Sequence, residues 1–432
     1  MPNITLSFFI EKITPIIFDY TDFLCLSLPI TNVKRIIKFL LMNLFYLLTY
    51  IVCLAYAALM ISYFIGWNKT LAVKPETLNL KPETRVSVII PVRNEEKNIQ
   101  NILHHLSKQD YQKDKYEIIA VDDFSEDKTI ELIQAANISN LKLIRLISGG
   151  GKKQAINEGI KNASGTLIIT TDADCEMGEK WLSAIVAFYE EHKPKMIVAP
   201  VLLSQESGVR SQEKKSKLQT PNSQLPTFSE IIQSQEMTVL TASACASLYC
   251  NSPVLCSGAN LAYEKDAFND VNGFDNIDKT ATGDDVFLML KIHKQFPNTI
   301  KYLKSNDAVV FTHPEKEISS AFSQRKRWAS KTFFYGFSHV TGIAILIFMM
   351  NFLVLLSGIL SVINVKFAYA LITALPIKCI VDFMLLQSAS SFFGKRTYPV
   401  SFFLASVLYP VYVSVIGLIS PFTNYSWKGR QS

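Results

Sequence analysis

The chain has 432 residues, of which 49% are hydrophobic and 19% charged, and its formal net charge at pH 7 is +6. This apolar composition excludes intrinsically disordered and fibrous proteins. The basic residues are not gathered into a tract with interleaved aromatics, so the sequence predicts no nucleic-acid-binding surface. Seven cysteines without a C-x-x-C pair indicate neither a disulfide framework nor a zinc site.

The chain is expected to begin with an N-terminal segment, residues 1–38, that lies at a membrane interface. Its apolar stretches are interrupted by acidic and basic side chains. No basic region precedes these stretches, as a secretory signal peptide would require. An interfacial segment is therefore favoured over a signal peptide or a membrane span.

Four uncharged apolar runs are long enough to cross a bilayer. The first has 27 residues, and at about 1.5 Å per residue it exceeds a hydrocarbon core of roughly 30 Å. Buried helices of a water-soluble domain rarely stay apolar on every side over such lengths. We therefore assign residues 39–66 to a transmembrane helix and residues 340–421 to a C-terminal membrane bundle of about three helices. The four runs are 39–65, 340–364, 367–390 and 398–421.

The third run contains two opposite charges one helical turn apart, Lys378 and Asp382. Residues four apart on a helix lie on one face and can pair in a medium of low dielectric constant. Two interpretations are open at this point. The residues form a structural ion pair, or they hold a lipid head group or an acceptor molecule.

Residues 71–331 have the sequence pattern of an α/β domain. Short β-branched runs alternate with amphipathic stretches, which is typical of a mostly parallel sheet whose strands are joined by helices. The stretch 204–227 is rich in Ser, Gln and Lys and is predicted to be a mobile surface insertion without chemistry. The predicted strands are 86–91, 116–121, 141–147, 166–171 and 196–201, and the predicted helices are 95–108, 130–136, 152–163 and 181–190.

Polar side chains collect at the carboxyl ends of four of these strands. Ligands of open α/β sheets bind at this edge, so these side chains are candidates for one binding site. The four groups are Asn94 with Glu95, Asp122 with Asp123, residues 149–152, and Asp172 with Asp174.

Asp172 and Asp174 are separated by one residue at the end of the fourth predicted strand. Carboxylates in this position can share Mg²⁺ or Mn²⁺ with a diphosphate, since both cations prefer oxygen ligands. An isolated D-x-D is also explained by aspartates that cap the start of the next helix. The pair alone does not decide between the two.

Seven motifs, taken together and in this order, resemble the family 2 glycosyltransferases. The resemblance covers residues 86–331 and is to the membrane-bound members, which carry membrane segments beside this domain. The motifs are VSVIIPVRNEE at 86–96, VDDFSED at 121–127, GKKQAINEG at 151–159, TDADC at 171–175, GAN at 258–260, GDD at 283–285 and QRKRW at 324–328.

The resemblance implies a GT-A fold, in which a nucleotide-binding α/β domain is joined to an acceptor-binding half. In that family the second aspartate after strand two holds the nucleobase, so Asp123 is expected to take this role with a UDP-linked donor. Lys152, at the start of a helix after three glycines, is placed to contact a phosphate. Four further residues would line the donor pocket: Pro91, Arg93, Asn94 and Glu95.

The resemblance also assigns the metal and the catalytic base. Asp172 and Asp174 would hold Mg²⁺ or Mn²⁺ on the sugar nucleotide, with Asp174 as the more direct ligand. His313 would complete the metal shell, although a single histidine is more often a surface or hydrogen-bonding residue. Asp285 corresponds to the base that deprotonates the acceptor hydroxyl, next to Asp284, whose position also fits a helix N-cap.

Gln324, Arg327 and Trp328 match the family motif Q-x-x-R-W. The tryptophan offers an apolar platform for a sugar ring, and the arginine can face the diphosphate. A positively charged cluster before a membrane span is the alternative explanation for the basic residues of this motif. Four residues resemble the loop that lines the acceptor site: Cys256, Ser257, Gly258 and Asn260.

These features predict an inverting glycosyltransferase that moves a sugar from a nucleotide-sugar donor to a lipid or lipid-linked acceptor at the membrane. The alternatives are a processive polysaccharide synthase and a non-catalytic membrane protein that binds sugar nucleotides. Because sugar nucleotides are cytosolic, residues 71–331 are expected to be the cytosolic domain of an integral protein of the cell inner membrane. The expected partners are a nucleotide sugar, a lipid or glycan acceptor and the membrane, with no nucleic acid.

Overall fold

The computed structural model describes residues 30–73, 83–204, 226–275, 284–330, 338–420, 426–427 and 430–431. Most of the predicted N-terminal interfacial segment and of the predicted insertion at 204–227 lies outside the described residues. The chain divides into two compact units, Met1–Ile51 and Val52–Ser432. In the first unit the structure describes only the start of one helix, so the following paragraphs concern the second unit unless stated otherwise.

The described elements are helices and strands that alternate up to about residue 200 and become mostly helical after residue 312. The helices are α1 Ile30–Lys69, α2 Ile99–Ser107, α3 Thr129–Ala135, α4 Lys152–Lys161, α5 Trp181–His192, α6 Phe228–Tyr249, α7 Lys265–Asp270, α8 Asp284–Gln295, α9 Ile318–Ser330, α10 His339–Ile363, α11 Ala368–Phe392 and α12 Pro399–Ile419, with a short 3-10 helix at Val365–Phe367. The strands are β1 Val86–Val92, β2 Tyr116–Asp122, β3 Leu141–Arg145, β4 Leu167–Thr170, β5 Glu176–Met177, β6 Met196–Val198, β7 Val201–Leu203, β8 Leu261–Glu264, β9 Ile300–Tyr302, β10 Val310–Thr312, β11 Ser426–Trp427 and β12 Arg430–Gln431.

A seven-stranded sheet in the order β3-β2-β1-β4-β8-β6-β9 forms the centre of the domain. β1 pairs in parallel with both β2 and β4, and β8 runs antiparallel to both of its neighbours. The strands β1 and β2 are almost completely buried. Side chains of this kind, apolar on both faces, are typical of strands covered by helices on both sides. The prediction of an α/β domain with a mostly parallel sheet is confirmed.

The predicted strand 196–201 is two strands that belong to different sheets. β6 lies in the central sheet, whereas β7 pairs with β10 in a three-stranded sheet of order β5-β10-β7. Pro200 separates them, and proline has no N–H to donate to a ladder. Its carbonyl instead accepts hydrogen bonds from Val310 N at 3.0 Å and from Asn260 Nδ2 at 2.8 Å.

Strand β8 determines which loop reaches the carboxyl edge of the sheet. Its first residue, Leu261, lies opposite Thr170 at the end of β4 and opposite Val198 at the end of β6. Because β8 is antiparallel to β4, the residues that precede it lie at the edge where β4 ends. The loop 256–260 is thereby placed beside the aspartates that follow β4.

Helix α6 was not predicted and forms one wall of the domain. It begins with a capping box, in which the Thr227 side chain accepts from Glu230 N and the Glu230 side chain accepts from Thr227 N. Thr241 Oγ1 donates to Val201 O at 2.6 Å, which ties the helix to β7. Gln235 Nε2 donates to Tyr398 O at 3.3 Å, just before α12. The helix therefore lies between the sheet domain and the C-terminal helices.

Four described helices are long and apolar enough to be candidate membrane spans. Each contains most or all of one of the four apolar runs found in the sequence. The intervals are Val33–Lys69, His339–Ile363, Val365–Phe392 and Pro399–Ile419.

Lys378 and Asp382 form an ion pair within α11. Lys378 Nζ lies 2.6 Å from Asp382 Oδ2, and the Lys378 side chain is only 3% exposed. The hydroxyl of Tyr56 donates to Asp382 Oδ1 at 2.7 Å. Because each charged group has a partner inside the protein, this geometry corresponds to the structural interpretation of the pair.

Lys304 fastens the end of α1 to the sheet domain. Its Nζ donates to Trp67 O at 2.6 Å and to Thr70 O at 3.2 Å, and it lies 4.1 Å from the centroid of the Trp67 ring. Carbonyls in the last turn of a helix have no partner within the helix, so the ammonium supplies one. Burial lowers the pKa of Lys304 below its usual value.

Replacing this lysine is expected to destabilise the protein. Lys304→Met removes the donor to two carbonyls, and the expected loss is about 1–3 kcal/mol of the free energy of unfolding. The measurement is thermal unfolding of the purified protein in detergent or lipid. Lys301→Met, at an exposed position of β9, serves as the control and should leave the transition temperature unchanged. Equal transition temperatures for both variants would contradict the role given to Lys304.

Candidate active site

A cavity of about 270 Å³ opens at the carboxyl edge of the sheet. Fourteen of the residues predicted from the sequence line it, although they come from stretches more than 200 residues apart. They are Pro91, Arg93, Glu95, Asp123, Lys152, Asp172, Asp174, Ser257, Gly258, Asp285, His313, Gln324, Arg327 and Trp328. The structure thus brings the nucleobase, metal, base and Q-x-x-R-W candidates together in one cavity.

Three of the predicted residues, Asn94, Cys256 and Asn260, lie beside the cavity without lining it. Asn94 bridges two loops, because its Oδ1 accepts from Glu126 N at 2.8 Å and its N–H donates to Ser125 Oγ at 3.0 Å. Cys256 packs against the hydrophobic core of the domain. The side chain of Asp284, the first residue of α8, lies outside the described residues.

Asn260 is fully buried and joins three segments of the domain. Its Nδ2 donates to Pro200 O and to Ala308 O, both at 2.8 Å. Its Oδ1 accepts from Trp181 Nε1 at 3.0 Å. Since the whole amide is used by these contacts, the structure places Asn260 in the support of the 256–260 loop and not on the cavity surface.

The candidate nucleobase carboxylate, Asp123, follows β2 and is only 2% exposed. Its Oδ2 accepts from Gly151 N at 3.0 Å, and its carbonyl accepts from Arg93 Nη1 at 2.9 Å. These contacts connect the ends of β1 and β2 to the glycine loop that follows β3. The carboxylate is therefore held in a defined orientation at the cavity wall.

Three consecutive glycines, Gly149, Gly150 and Gly151, lead into α4 with φ values of 76°, 139° and 106°. Residues with a side chain rarely adopt such angles, so the turn depends on glycine. It places Lys152 at the first position of α4, from which its Nζ reaches Asp172 Oδ1 at 2.5 Å. An ammonium group thereby lies beside the predicted metal ligands.

Three carboxylates share one end of the cavity. The pKa of Asp174 is raised above its usual value, first by burial and then by the negative charges of Asp172 and Glu95, while the Lys152 ammonium opposes the shift. Acidic groups that repel one another in a buried site are a donor set suited to a divalent cation.

Within the described residues, however, no group of three or more His, Cys, Asp or Glu side chains is arranged to hold a metal by itself. Mg²⁺ is commonly held by one or two carboxylates together with substrate phosphates and water. The pair Asp172 and Asp174 fits this mode of binding.

His313 is engaged with other residues at the cavity rim. Its Nδ1 lies 2.9 Å from Ser204 Oγ, and its Nε2 lies 3.6 Å from Glu176 Oε1. Both ring nitrogens thus face protein atoms. A metal shell composed of His313, Asp172 and Asp174 is not formed among the residues that the structure describes.

Asp285 faces the glycine of the G-A-N motif. Gly258 N donates to Asp285 Oδ2 at 3.1 Å, and Val286 N donates to Asp285 Oδ1 at 2.9 Å. A methyl group placed on Gly258 would lie 3.4 Å from Lys152 Nζ and 3.9 Å from Asp285 Oδ2. The candidate base and Lys152 therefore border the same small space, which a side chain at residue 258 would fill.

Several residues of the cavity wall were missed by the sequence analysis. Gln233 and Met237 of α6, Glu315 and Arg325 line the cavity, and Glu236 of α6 contacts Arg325. The capping box at Thr227 would have predicted a helix here, since T-x-x-E is a helix-start signature. Nothing in the spacing of α6 indicates that it faces the cavity.

Less than half of the chain matches a known family model. Residues 87–256 match the family model described as "Glycosyl transferase family 2". The match includes the ends of β1, β2, β3 and β4, where the predicted donor and metal residues lie. This result confirms the resemblance found from the motifs.

Two curated relatives show how far the similarity extends. The chain is 34% identical over 116 residues to Poly(ribitol-phosphate) beta-N-acetylglucosaminyltransferase TarS of Staphylococcus aureus strain Mu50, which is 26% of this chain and 20% of that protein. It is 38% identical over 111 residues to Undecaprenyl-phosphate 4-deoxy-4-formamido-L-arabinose transferase of Proteus mirabilis strain HI4320, which is 25% of this chain and 34% of that protein. The matches span about a fifth to a third of the length of these relatives.

A solved structure has the same fold over most of the chain. It is the mannosyltransferase PcManGT from Pyrobaculum calidifontis in complex with GDP-Man and Mn²⁺, with a TM-score of 0.54 and 16% sequence identity. The superposition covers 88% of this chain and 99% of that one. The domain therefore has a GT-A-like fold.

Proposed function

We propose that the protein is an inverting glycosyltransferase that moves a sugar from a nucleotide-sugar donor to a lipid or lipid-linked acceptor at a membrane. One observation carries this proposal. Asp123, Asp174 and Asp285 line the same cavity, although 162 residues separate the first from the last. A single donor molecule can therefore contact the nucleobase, metal and base candidates at once.

The donor would lie across the ends of the parallel strands. Asp123 is placed to accept the imide N–H of a uracil base, and Arg93 and Pro91 would form the adjoining wall. Lys152 and the backbone N–H groups at the start of α4 would contact the diphosphate. The cavity-lining Arg327 has no ion pair with an acidic side chain in the described part of the chain and can offer its planar guanidinium to the same diphosphate.

When bound, Mg²⁺ or Mn²⁺ supplies Lewis-acid stabilisation of the diphosphate leaving group. Asp172 and Asp174 would hold it, with the remaining positions taken by phosphate oxygens and water. The GT-A-like mannosyltransferase with GDP-Man and Mn²⁺ is consistent with this arrangement.

The transfer itself would use Asp285 as the base. Asp285 takes the proton of the acceptor hydroxyl, the acceptor oxygen forms a bond to the anomeric carbon, and the bond from that carbon to the diphosphate breaks on the opposite face. An α-linked donor then gives a β-linked product. Lys152 and Arg327 stabilise the negative charge that develops on the diphosphate.

The wall formed by α6 connects the cavity to the C-terminal helices. Lys395, between α11 and α12, donates to Leu203 O at 2.8 Å, and Leu203 lines the cavity. An acceptor held in a bilayer by α10, α11 and α12 could thus present its hydroxyl or phosphate to the site. The relative from Proteus mirabilis is named for undecaprenyl phosphate, a lipid.

The four candidate spans in the described part of the chain would offer little wall for a channel that exports a polymer, which favours a lipid or lipid-linked acceptor. The Staphylococcus aureus relative is named for poly(ribitol-phosphate), so a glycan acceptor is the second candidate. In either case the domain would face the cytosol from the inner membrane, since sugar nucleotides are cytosolic.

The deciding experiment supplies the purified protein, in lipid vesicles, with a panel of nucleotide sugars and with Mg²⁺ or Mn²⁺. We expect one donor to be consumed and a lipid acceptor to gain one sugar by mass spectrometry. Chelation of the metal by EDTA should abolish transfer, and restoring Mn²⁺ should recover it. Addition of many sugars to one acceptor would indicate a polysaccharide synthase, whereas nucleotide binding without transfer from any donor would favour a non-catalytic binder.

A further inference from the structure

Five residues form a chain of hydrogen bonds beside the cavity, and the backbone of α6 joins the two ends of this chain into a ring. They come from three parts of the chain: α6 contributes Gln233 and Glu236, the loop after β10 contributes Glu315, and α9 contributes Gln324 and Arg325. Four of the five line the cavity, and Glu236 lies behind them.

Each contact of the ring is within hydrogen-bonding distance. The amide of Gln233 donates to Glu315 O at 2.9 Å and accepts from Glu315 N at 3.1 Å. Gln324 Nε2 donates to Glu315 Oε1 at 3.2 Å, and Gln324 Oε1 accepts from Arg325 Nη1 at 2.7 Å. Arg325 donates to Glu236 Oε2 through Nε at 3.1 Å and through Nη2 at 2.8 Å. Glu236 and Gln233 both lie on α6, so the helix backbone completes the ring.

The ion pair between Arg325 and Glu236 is the strongest part of the ring. The side chains are 8% and 14% exposed, and the guanidinium uses two N–H groups on one carboxylate oxygen. A buried charge pair of this kind has little freedom to adopt other geometries. The guanidinium carbon of Arg325 also lies 5.2 Å from the centroid of the Trp328 ring.

The ring therefore restricts the orientation of α9. Arg325 precedes Arg327 by two residues and Trp328 by three, so rotating α9 about its axis would move all three together. The hydroxyl of Tyr409, on α12, donates to Glu236 Oε1 at 3.3 Å. A candidate membrane span thus contacts the same carboxylate that holds α9.

We propose that Glu236 is a positioning residue, which acts through Arg325 to hold Arg327 and Trp328 in the orientation that the transfer reaction needs. This inference rests on the proposed function and deepens it, because it makes α6 and, through Tyr409, α12 part of the support of the active site. Glu236 itself does not line the cavity.

The test compares Glu236→Gln with a matched control, Glu264→Gln. Glu264 is similarly buried, with 16% of its side chain exposed, and is likewise paired with a cation, Lys195, and a tyrosine hydroxyl, Tyr189. It does not line the cavity. Both variants should lower thermal stability, but only Glu236→Gln should reduce kcat per folded molecule, by about 100-fold, since misplacement of positioning groups by about 1 Å has effects of this size.

A second variant removes both charges of the ion pair. It keeps the inference testable if Glu236→Gln fails to fold. Glu236→Leu combined with Arg325→Met leaves no unpaired buried charge, and such replacements commonly fold. Its kcat should be as low as that of Glu236→Gln, whereas Tyr409→Phe, which removes one weak hydrogen bond, should show a smaller loss. Unchanged kcat in both Glu236→Gln and the double variant would overturn the inference.

Hydrogen exchange gives a readout that does not depend on turnover. The amides of α9 should exchange faster in Glu236→Gln than in the wild type, and they should be unaffected in Glu264→Gln. If the wild type transfers no sugar, the proposed function fails, while the exchange rates in α9 still decide whether Glu236 orders this helix. Equal exchange in α9 for the two variants would refute the positioning role.

Discussion

Asp285→Asn is expected to reduce sugar transfer by about 10²–10⁴-fold, which is the range for losing a general base. The amide keeps the size of the carboxylate and can still accept from Gly258 N, so the loop 256–260 should stay in place. It cannot take the proton of the acceptor hydroxyl. The measurement is the initial rate of transfer at saturating donor and acceptor.

Measuring how tightly Asp285→Asn binds the nucleoside diphosphate distinguishes a role of Asp285 as the base from a role in donor binding. Calorimetric titration of Asp285→Asn with the nucleoside diphosphate and Mn²⁺ should give the wild-type affinity. Asp270→Asn, at an exposed position of α7, is the control and should transfer at the wild-type rate. Retention of full activity by Asp285→Asn would mean that another group deprotonates the acceptor.

The second large effect is expected for Asp174→Asn. This substitution removes one of the two carboxylates proposed to hold the metal, so transfer should fall by about 10²–10³-fold through lost stabilisation of the leaving group. The dependence of the remaining activity on Mn²⁺ concentration should shift to higher concentration. Asp114→Asn, at an exposed position between α2 and β2, provides a control with the same chemical change.

Asp174→Asn is also expected to affect the stability of the metal-free protein. Burial and the charges of Asp172 and Glu95 raise the pKa of Asp174, which means that its ionised form is disfavoured in the folded protein. Neutralising residue 174 therefore removes repulsion, and the metal-free variant should unfold at the wild-type temperature or above it. A lower unfolding temperature together with unchanged metal dependence would argue that Asp174 has only a structural role.

The positions of the residues proposed to bind the donor were predictable because these residues follow strands. Asp123, Asp172 and Asp174 follow buried β-branched strands, and Lys152 follows the glycine loop after β3. Parallel strands end at one edge of their sheet. Local hydrophobic pattern thus determined both the strands and the location of these side chains. The four candidate spans were predictable for a similar reason, since length and apolar composition are local properties.

The arrangement of the loop proposed to line the acceptor site depended on contacts between distant segments. Asn260 and Ser257 are three residues apart, yet Asn260 is buried beneath the cavity and Ser257 lines it, because β8 inserts antiparallel between β4 and β6. The loop predicted from the sequence to line the acceptor site includes both kinds of residue, and its sequence cannot separate them. Similarly, Arg325 looked like one charge in a basic cluster, but it is buried against Glu236 of a helix that was not predicted.

The sequence by itself determined the first four strands of the domain, the helices between them and the acidic side chains that follow the strands, because these depend on hydrophobic periodicity and chain order. Only the tertiary structure decided that His313 is held by Ser204 and Glu176, and that Glu236 of α6 is paired with Arg325 of α9. Such pairings depend on how β8 and α6 pack between segments far apart in the chain. The spacing of residues along the sequence does not predict which polar side chains contact each other when distant segments pack together.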